Sequence, residues 1–192
     1  MILVIDNETR FIKKICSFLK KNGFSYKIKN FSRIRLEDMK GFDAIILSGG
    51  HHHPNVIEKK RDFDKEIRLI KQVKLPIFAI CLGFEVVCYT FGCKLNDMHH
   101  YEKGICKINI IKKGGIFKDC PKKLKIFEDH RWDIIKISKA LEVLATSSDG
   151  IEAVRHKRKP IYGVQFHPEI RKGNQGYKAF ENFLQLIKER YK

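Results

Sequence analysis

The sequence predicts an α/β protein built on one open, mostly parallel sheet with helices on both faces and a mixed, antiparallel extension in its second half. Three observations carry this reading. Short apolar runs alternate with charged amphipathic stretches through the first half, the pattern of a parallel sheet covered by helices. Two of those runs end in small or reactive residues, Ser48-Gly49-Gly50 and Cys81-Leu82-Gly83, at the sheet edge where open α/β folds place their ligands. The 192 residues, 43% of them hydrophobic, suffice for one substantial core, and no linker, repeat or low-complexity tract divides them.

Residues 2–5 read as a buried strand. Over residues 9–21, Phe11, Ile15, Phe18 and Leu19 recur at helical spacing among lysines, and Asn22-Gly23 supplies a C-terminal stop. Residues 24–28 alternate as a second strand, and 43–47 form a third that runs into Ser48-Gly49-Gly50. After a histidine-rich loop, Phe63, Ile67 and Ile70 mark the apolar face of a charged helix. Pro76 then opens the strand leading to Cys81, and residues 84–91 follow as a helix that Gly92 ends. The second half reads as short strands at 105–111, 124–127, 133–137, 142–145, 152–155 and 161–164. Residues 175–190 close the chain as a helix with Phe180, Phe183, Leu184 and Ile187 on one side. The whole amounts to a single flavodoxin-like open sheet in one domain, 1–192.

A formal charge of +17 raises nucleic-acid binding, but the Lys and Arg residues are scattered through every segment beside Asp and Glu, with no basic-aromatic recognition motif. No nucleic-acid partner is expected; the surface suits an acidic protein partner. The first residues lack a basic leader and a cleavage site, and no apolar stretch approaches the roughly 20 residues of a membrane span, so a soluble cytoplasmic protein is expected. The six cysteines form no C-x-x-C pair and read as reduced thiols, five of them as small core hydrophobes.

The sixth, Cys81, sits between an apolar strand and a helix. There the helix N-terminus, and an imidazolium if one is near, would favour its thiolate. By itself a thiol at a strand end reads as a buried side chain. The stretch Val164-Gln165-Phe166-His167-Pro168-Glu169 changes that reading, because it supplies an imidazole at another strand end and a carboxylate two residues on. His167 is then a general base and acid, and Glu169 the group that fixes its tautomer. The oxyanion of acyl transfer would be met by the backbone N–H of Leu82 and by one from Gly49 or Gly50. Gly83 reads as the residue that permits the tight turn and close substrate approach.

Several other features read as structural. Ser48-Gly49-Gly50 alone also fits an ordinary turn, or the start of an ATP-gripping loop, but His51-His52-His53-Pro54 follows where that loop needs an acid and a serine. The three histidines point to alternate sides of extended chain with no cluster to complete a site, so no metal is expected. His99-His100-Tyr101-Glu102 reads as a surface turn, and Trp132, set among charges, as an interface or pocket-lining aromatic.

Together these motifs resemble the class I glutamine amidotransferases, with nucleophile motif G-I-C-x-G-x-Q, base motif H-P-E and oxyanion loop S-G-G-P. The resemblance runs from Ile2 to the last helix. Within the family, Ile151-Glu152-Ala153-Val154-Arg155-His156 and the run from Lys159 to Glu169 look most like the separate glutaminase subunits of archaeal GMP synthases. Anthranilate and aminodeoxychorismate synthase glutaminase subunits share much of that stretch. The resemblance implies hydrolysis of the glutamine side-chain amide through a γ-glutamyl thioester on Cys81, with ammonia passed to an ATP-dependent synthetase subunit. In GMP synthase that partner adenylylates xanthosine monophosphate. It also implies no cofactor on this chain, which has no nucleotide loop of its own.

By the same resemblance Gly50, Glu85, Asp129 and His130 stand at substrate-binding positions. Some of these positions depart from the family. The family glutamine that contacts substrate is Glu85, exchanging an amide for an acceptor-only carboxylate. Ala79 replaces a glycine, Phe84 stands where histidine or methionine is usual, and His51 replaces the oxyanion-loop proline. Asp129 replaces the serine of a serine-histidine pair, and the spacing to Asp133 is one residue longer. The triad is intact and the specificity pocket altered. Two alternatives follow: a related amidase or γ-glutamyl hydrolase, and a non-catalytic regulatory subunit.

Overall fold

The computed structural model describes residues 1–51 and 63–190, and among them nine strands form one sheet in the order β2-β1-β3-β4-β9-β8-β7-β5-β6. The strands are β1 (Ile2–Asn7), β2 (Tyr26–Asn30), β3 (Ala44–Gly50), β4 (Ile77–Ile80), β5 (Lys94–Ile110), β6 (Lys123–Lys136), β7 (Leu141–Thr146), β8 (Ile151–His156) and β9 (Ile161–Val164). The helices are α1 (Ile12–Lys21), α2 (Asp64–Gln72), α3 (Leu82–Thr90) and α4 (Tyr177–Arg190). Strands β2, β1, β3, β4 and β9 are parallel in the order of flavodoxin-like sheets, and from β8 onward every pairing is antiparallel. The expected open α/β sheet with an antiparallel extension is therefore the observed one.

Alternation along the strands divides the core. Ile2, Val4, Ile46 and Phe78 face α1 and α4, whereas Leu3, Ile5, Ile45 and Ile77 face α2 and α3. On the first face Phe180 stacks on both Phe18 and Phe78, with ring centroids 4.5 and 5.0 Å apart. Helices thus cover both faces, and the strand ends β3, β4 and β9 open on a common edge. No helix among the described residues is long and apolar enough to cross a membrane.

The elements differ most from expectation in three places, besides shifts of up to three residues at the ends of β3, α3 and α4. Helix α1 begins at Ile12 rather than residue 9, because Asp6 Oδ1 accepts from Thr9 N–H and Thr9 Oγ1 from Phe11 N–H, holding the chain in a turn where Glu8 has φ 63°. The second strand lies at Tyr26–Asn30, two residues later than its alternation suggested. Most changed are β5 and β6, a long antiparallel ribbon that replaces three short strands. The expected turn at His99–Glu102 is a bulge within β5: Asp97 pairs with Trp132 and Glu102 with His130, leaving four residues opposite one. Arg131 anchors the bulge through two bonds of 2.7 Å to the Asp97 carboxylate.

All six cysteines are free thiols. Cys16, Cys88, Cys93 and Cys120 are buried as expected, but Cys106 is only partly so, because it lies on the ribbon with its S–H on Glu102 Oε1 at 3.0 Å. His52 and His53 lie outside the described residues.

Candidate active site

Cys81 stands between β4 and α3 as the residue that caps the helix, with φ 49° and ψ −110°. A side-chain-bearing residue in this region stores about 1–3 kcal/mol of strain, the device by which a strand-to-helix turn lifts a nucleophile above a sheet. The strain sits on Cys81 itself and not on Gly83, which corrects the reading of that glycine. Gly83 is needed for packing: a Cβ there would lie 2.8 Å from the Leu47 carbonyl oxygen and from Leu47 Cβ, so α3 could not approach β3 so closely.

His167 follows β9 and is held by its backbone N–H on the Phe127 carbonyl at 2.9 Å. Its Nδ1 is 2.8 Å from Glu169 Oε1. A carboxylate accepts, so Nδ1 carries the proton and Nε2 is left for the thiol, whose pKa the imidazole pulls down. The Phe11 ring meets the imidazole edge-on at 5.0 Å, and Cys81, His167 and Glu169 are no more than 4% exposed. The structure places His167 against Glu169, with Cys81 buried beside them.

The electrostatics differ from the simplest expectation. Burial pushes the Cys81 thiol up, His167 pulls it back, and Glu85 and Glu128 add to the rise. For His167 burial acts to lower the pKa, but Glu169 and then Cys81 outweigh it, and the imidazole ends well above its usual range. The helix end and the imidazole thus work against desolvation, which is the larger influence on the thiol.

Beside the thiol, β3 continues through Ser48, Gly49 and Gly50. A Cβ on Gly49 would lie 3.1 Å from His167 Cε1 and 3.4 Å from Cys81 Cβ; one on Gly50 would lie 2.2 Å from the Asn7 carbonyl oxygen and 2.7 Å from Leu82 Cδ2. Close approach dictates a glycine at position 50, whereas at 49 a Cβ would crowd the His167 ring by a few tenths of an ångström. Buried Asn7 clamps the segment, donating from its backbone N–H to Ser48 Oγ at 2.9 Å and from Nδ2 to the Ser48 carbonyl at 3.0 Å. The Leu82 N–H belongs to the first turn of α3, where intrahelical acceptors are lacking.

A pocket lined by Gly50, Cys81, Leu82, Glu85, His130 and Trp132 opens at the thiol, so the lining role expected of Trp132 holds. Glu85 is buried, accepts from Gln165 Nε2 at 3.2 Å, and has its carboxyl pushed up to about 7 by burial against the pull of Gln165. The Asp129 carboxylate turns aside to pair with Arg10 and with Lys103, and its carbonyl faces the Cys81 sulfur at 3.9 Å. His130 Nδ1 donates to the Trp132 carbonyl at 2.9 Å, and Nε2 turns down toward Glu128 and Glu102.

Sequence reasoning missed Gln165, the partner of Glu85, and a buried group formed by Glu128, His130 and Glu152. Burial pushes the carboxyl of Glu128 up to about 7 and that of Glu152 well above its usual range. A signal for Glu128 was present: Leu124, Ile126, Glu128 and His130 alternate on one inward face of β6.

The family model for "Glutamine amidotransferase class-I" matches residues 3–186. The chain belongs to the class I glutamine amidotransferases. Among curated relatives it is 33% identical to a glutamine-hydrolyzing GMP synthase subunit of Methanocaldococcus jannaschii, over 97% of each chain. It is also 33% identical to the subunit of the same description from Pyrococcus abyssi, over 98% of this chain and 100% of that one. A protein of Thermoplasma acidophilum, described as a candidate subunit of GMP synthase, superposes with a TM-score of 0.89 at 28% identity, covering 99% of this chain and 94% of that chain. A glutamine amidotransferase of Thermotoga maritima shares the fold at a TM-score of 0.72 and 18% identity, covering 98% and 82%. The amidotransferase fold and the arrangement of the two strand-end motifs thus coincide in one chain.

Proposed function

We propose that this amidotransferase is the glutaminase subunit of a two-subunit GMP synthase, releasing ammonia from glutamine for an ATP-dependent synthetase partner that acts on xanthosine monophosphate. The observation that carries the chemistry is the buried chain of contacts from Cys81 through His167 to Glu169, with the nucleophile on a strained turn. The similarity to GMP synthase subunits along their whole length supports the choice of partner. The reading places the protein in the cytoplasm with its nucleotide substrates.

In the reaction, His167 Nε2 takes the Cys81 proton and the sulfur attacks the side-chain amide carbon. The tetrahedral oxyanion is met by the N–H of Leu82 and one from Gly49 or Gly50, each such donor being worth roughly 3–4 kcal/mol. The imidazolium, stabilised by Glu169, returns the proton to the leaving nitrogen, and ammonia departs to leave a γ-glutamyl thioester. Water, deprotonated by the same imidazole, then attacks the thioester and frees glutamate with the thiol restored.

Ammonia release should be measured with and without the synthetase subunit, ATP and xanthosine monophosphate. Wild type is expected to release ammonia and, with the partner, to form GMP from glutamine; Cys81→Ala should form GMP only when ammonia is supplied. A wild-type protein silent in both settings contradicts the proposal. A second reading is favoured by Glu85 alone: a buried acid in the substrate pocket would select an amine-bearing amide other than glutamine. Under that reading wild type ignores glutamine and Glu85→Gln gains glutamine turnover.

A further inference from the structure

We propose that Glu128, His130 and Glu152, with Glu102 at the rim, form a site for one first-row divalent metal ion of the zinc or manganese kind, beneath the candidate substrate pocket. Glu128 and His130 share a face of β6, Glu152 comes from β8, and Glu102 is the β5 residue opposite His130 in the ribbon register. One ligand atom from each of the first three lies within 4.8 Å of the others. His130 Nε2 is 3.2 Å from Glu128 Oε2 and 3.6 Å from Glu102 Oε2. Those spacings bracket the edge of about 3.4 Å of a tetrahedron with metal–ligand bonds of about 2.1 Å.

The second observation is the state of these atoms. Both oxygens of Glu128, Oε2 of Glu152 and of Glu102, and His130 Nε2 are buried with no hydrogen-bond partner, while the other oxygens of Glu152 and Glu102 accept from Ser147 and Cys106. A proton shared between the Glu128 and Glu152 carboxyls would relieve that pair, whereas His130 Nε2 and Glu102 would be met only by a second proton on the imidazole, pairing it with Glu128 and Glu102. Glu128 is 0% and Glu152 1% exposed, and leaving such carboxylates unpaired in an apolar setting is costly. A divalent cation satisfies all of them at once. The imidazole is also prepared for it: Nδ1 donates to the Trp132 carbonyl, so in the neutral ring Nε2 presents its lone pair to the carboxylates. That is how metal-bound histidines are oriented by their outer hydrogen bond. One imidazole nitrogen among carboxylate oxygens suits zinc, manganese or iron(II), whereas the all-oxygen cages of calcium and magnesium lack it. The ion would tie the ribbon that carries Asp129 and His130 to β8, the neighbour of the strand leading to His167, and so fix the floor of the pocket. The site revises the expectation of no metal, and it stands independently of the glutaminase reading.

The full-length protein, stripped with a chelator, should be titrated with Co2+ as the probe and then with Zn2+ in competition. The expected result is one equivalent of Co2+ with visible bands of nitrogen and oxygen ligation, no sulfur-to-cobalt charge transfer, and displacement by Zn2+. Glu128→Gln and Glu152→Gln should each weaken uptake at least about tenfold. Absence of stoichiometric uptake overturns the proposal and favours a proton shared among the acids. So does uptake with a sulfur charge-transfer band, which would place the ion on a thiol such as Cys81 or Cys106, and so does uptake that both glutamine variants retain. Should the variants fail to fold, the stoichiometry and spectrum of the wild-type protein decide.

Discussion

At Cys81 the backbone is strained, and its neighbours explain why so little there is exchangeable. The contacts a Cβ would make at Gly50 predict that Gly50→Ala displaces the end of β3 proposed to meet the oxyanion and lowers kcat about 10²–10³-fold, the usual effect of losing one oxyanion donor, with the fold retained by circular dichroism. Glu169→Gln keeps the shape and removes the charge that supports the His167 imidazolium. It should lower kcat about 10²–10⁴-fold with little change in KM. Glu85 has a carboxyl pushed up to about 7 by burial, so it is neutral and able to donate, as the family glutamine does, only below that pH. As pH rises through about 7 its charge should repel the substrate α-carboxylate and raise KM for glutamine, and Glu85→Gln should flatten that profile. The proposed triad was legible because its members sit in short unbroken motifs at strand ends. The roles of Gln165 and Asp129 were not, because each depends on a side chain brought from elsewhere: Glu85 from α3 in one case, Arg10 from the turn before α1 in the other.

At the scale of elements, the parallel half of the sheet could be read from the apolar runs of β1, β3 and β4, which are buried on both faces, whereas the edge strand β2 is exposed or half-buried throughout. The β5–β6 ribbon could not. The outward residues of 94–104 are charged or polar, and the bulge at 98–101 breaks the alternation midway, so the one strand showed only its apolar end. Helix α2 carries a buried acid, Glu66, whose carboxyl burial pushes up to about 8 while the 3.4 Å bond from Asn7 Nδ2 pulls it down. The folded state therefore keeps a proton that the unfolded chain releases near pH 4.5, so this contribution to stability is full below that pH and is lost as pH rises to about 8. Glu66→Gln should abolish that decline and stabilise the protein at and above pH of about 8, as checked by urea midpoints across the range.

For the whole molecule, two hydrophobic layers sandwich the sheet, and Phe180 joins α1 to β4 across one of them. Phe180→Ala should cost about 3–5 kcal/mol, read from the shift in denaturant midpoint at unchanged slope. The formal charge of +17 is spread over the surface and predicts that coupling to a synthetase subunit weakens as salt is raised, whereas glutamine hydrolysis by the isolated subunit changes little. The measurement that bears most directly on the account is mass spectrometry of the protein quenched in acid after mixing with glutamine, alone and with its synthetase. A γ-glutamyl adduct on the peptide containing Cys81, absent from Cys81→Ala, is the predicted result. Glutamine consumed with the adduct on another cysteine, or no adduct and no consumption in either setting, would contradict it.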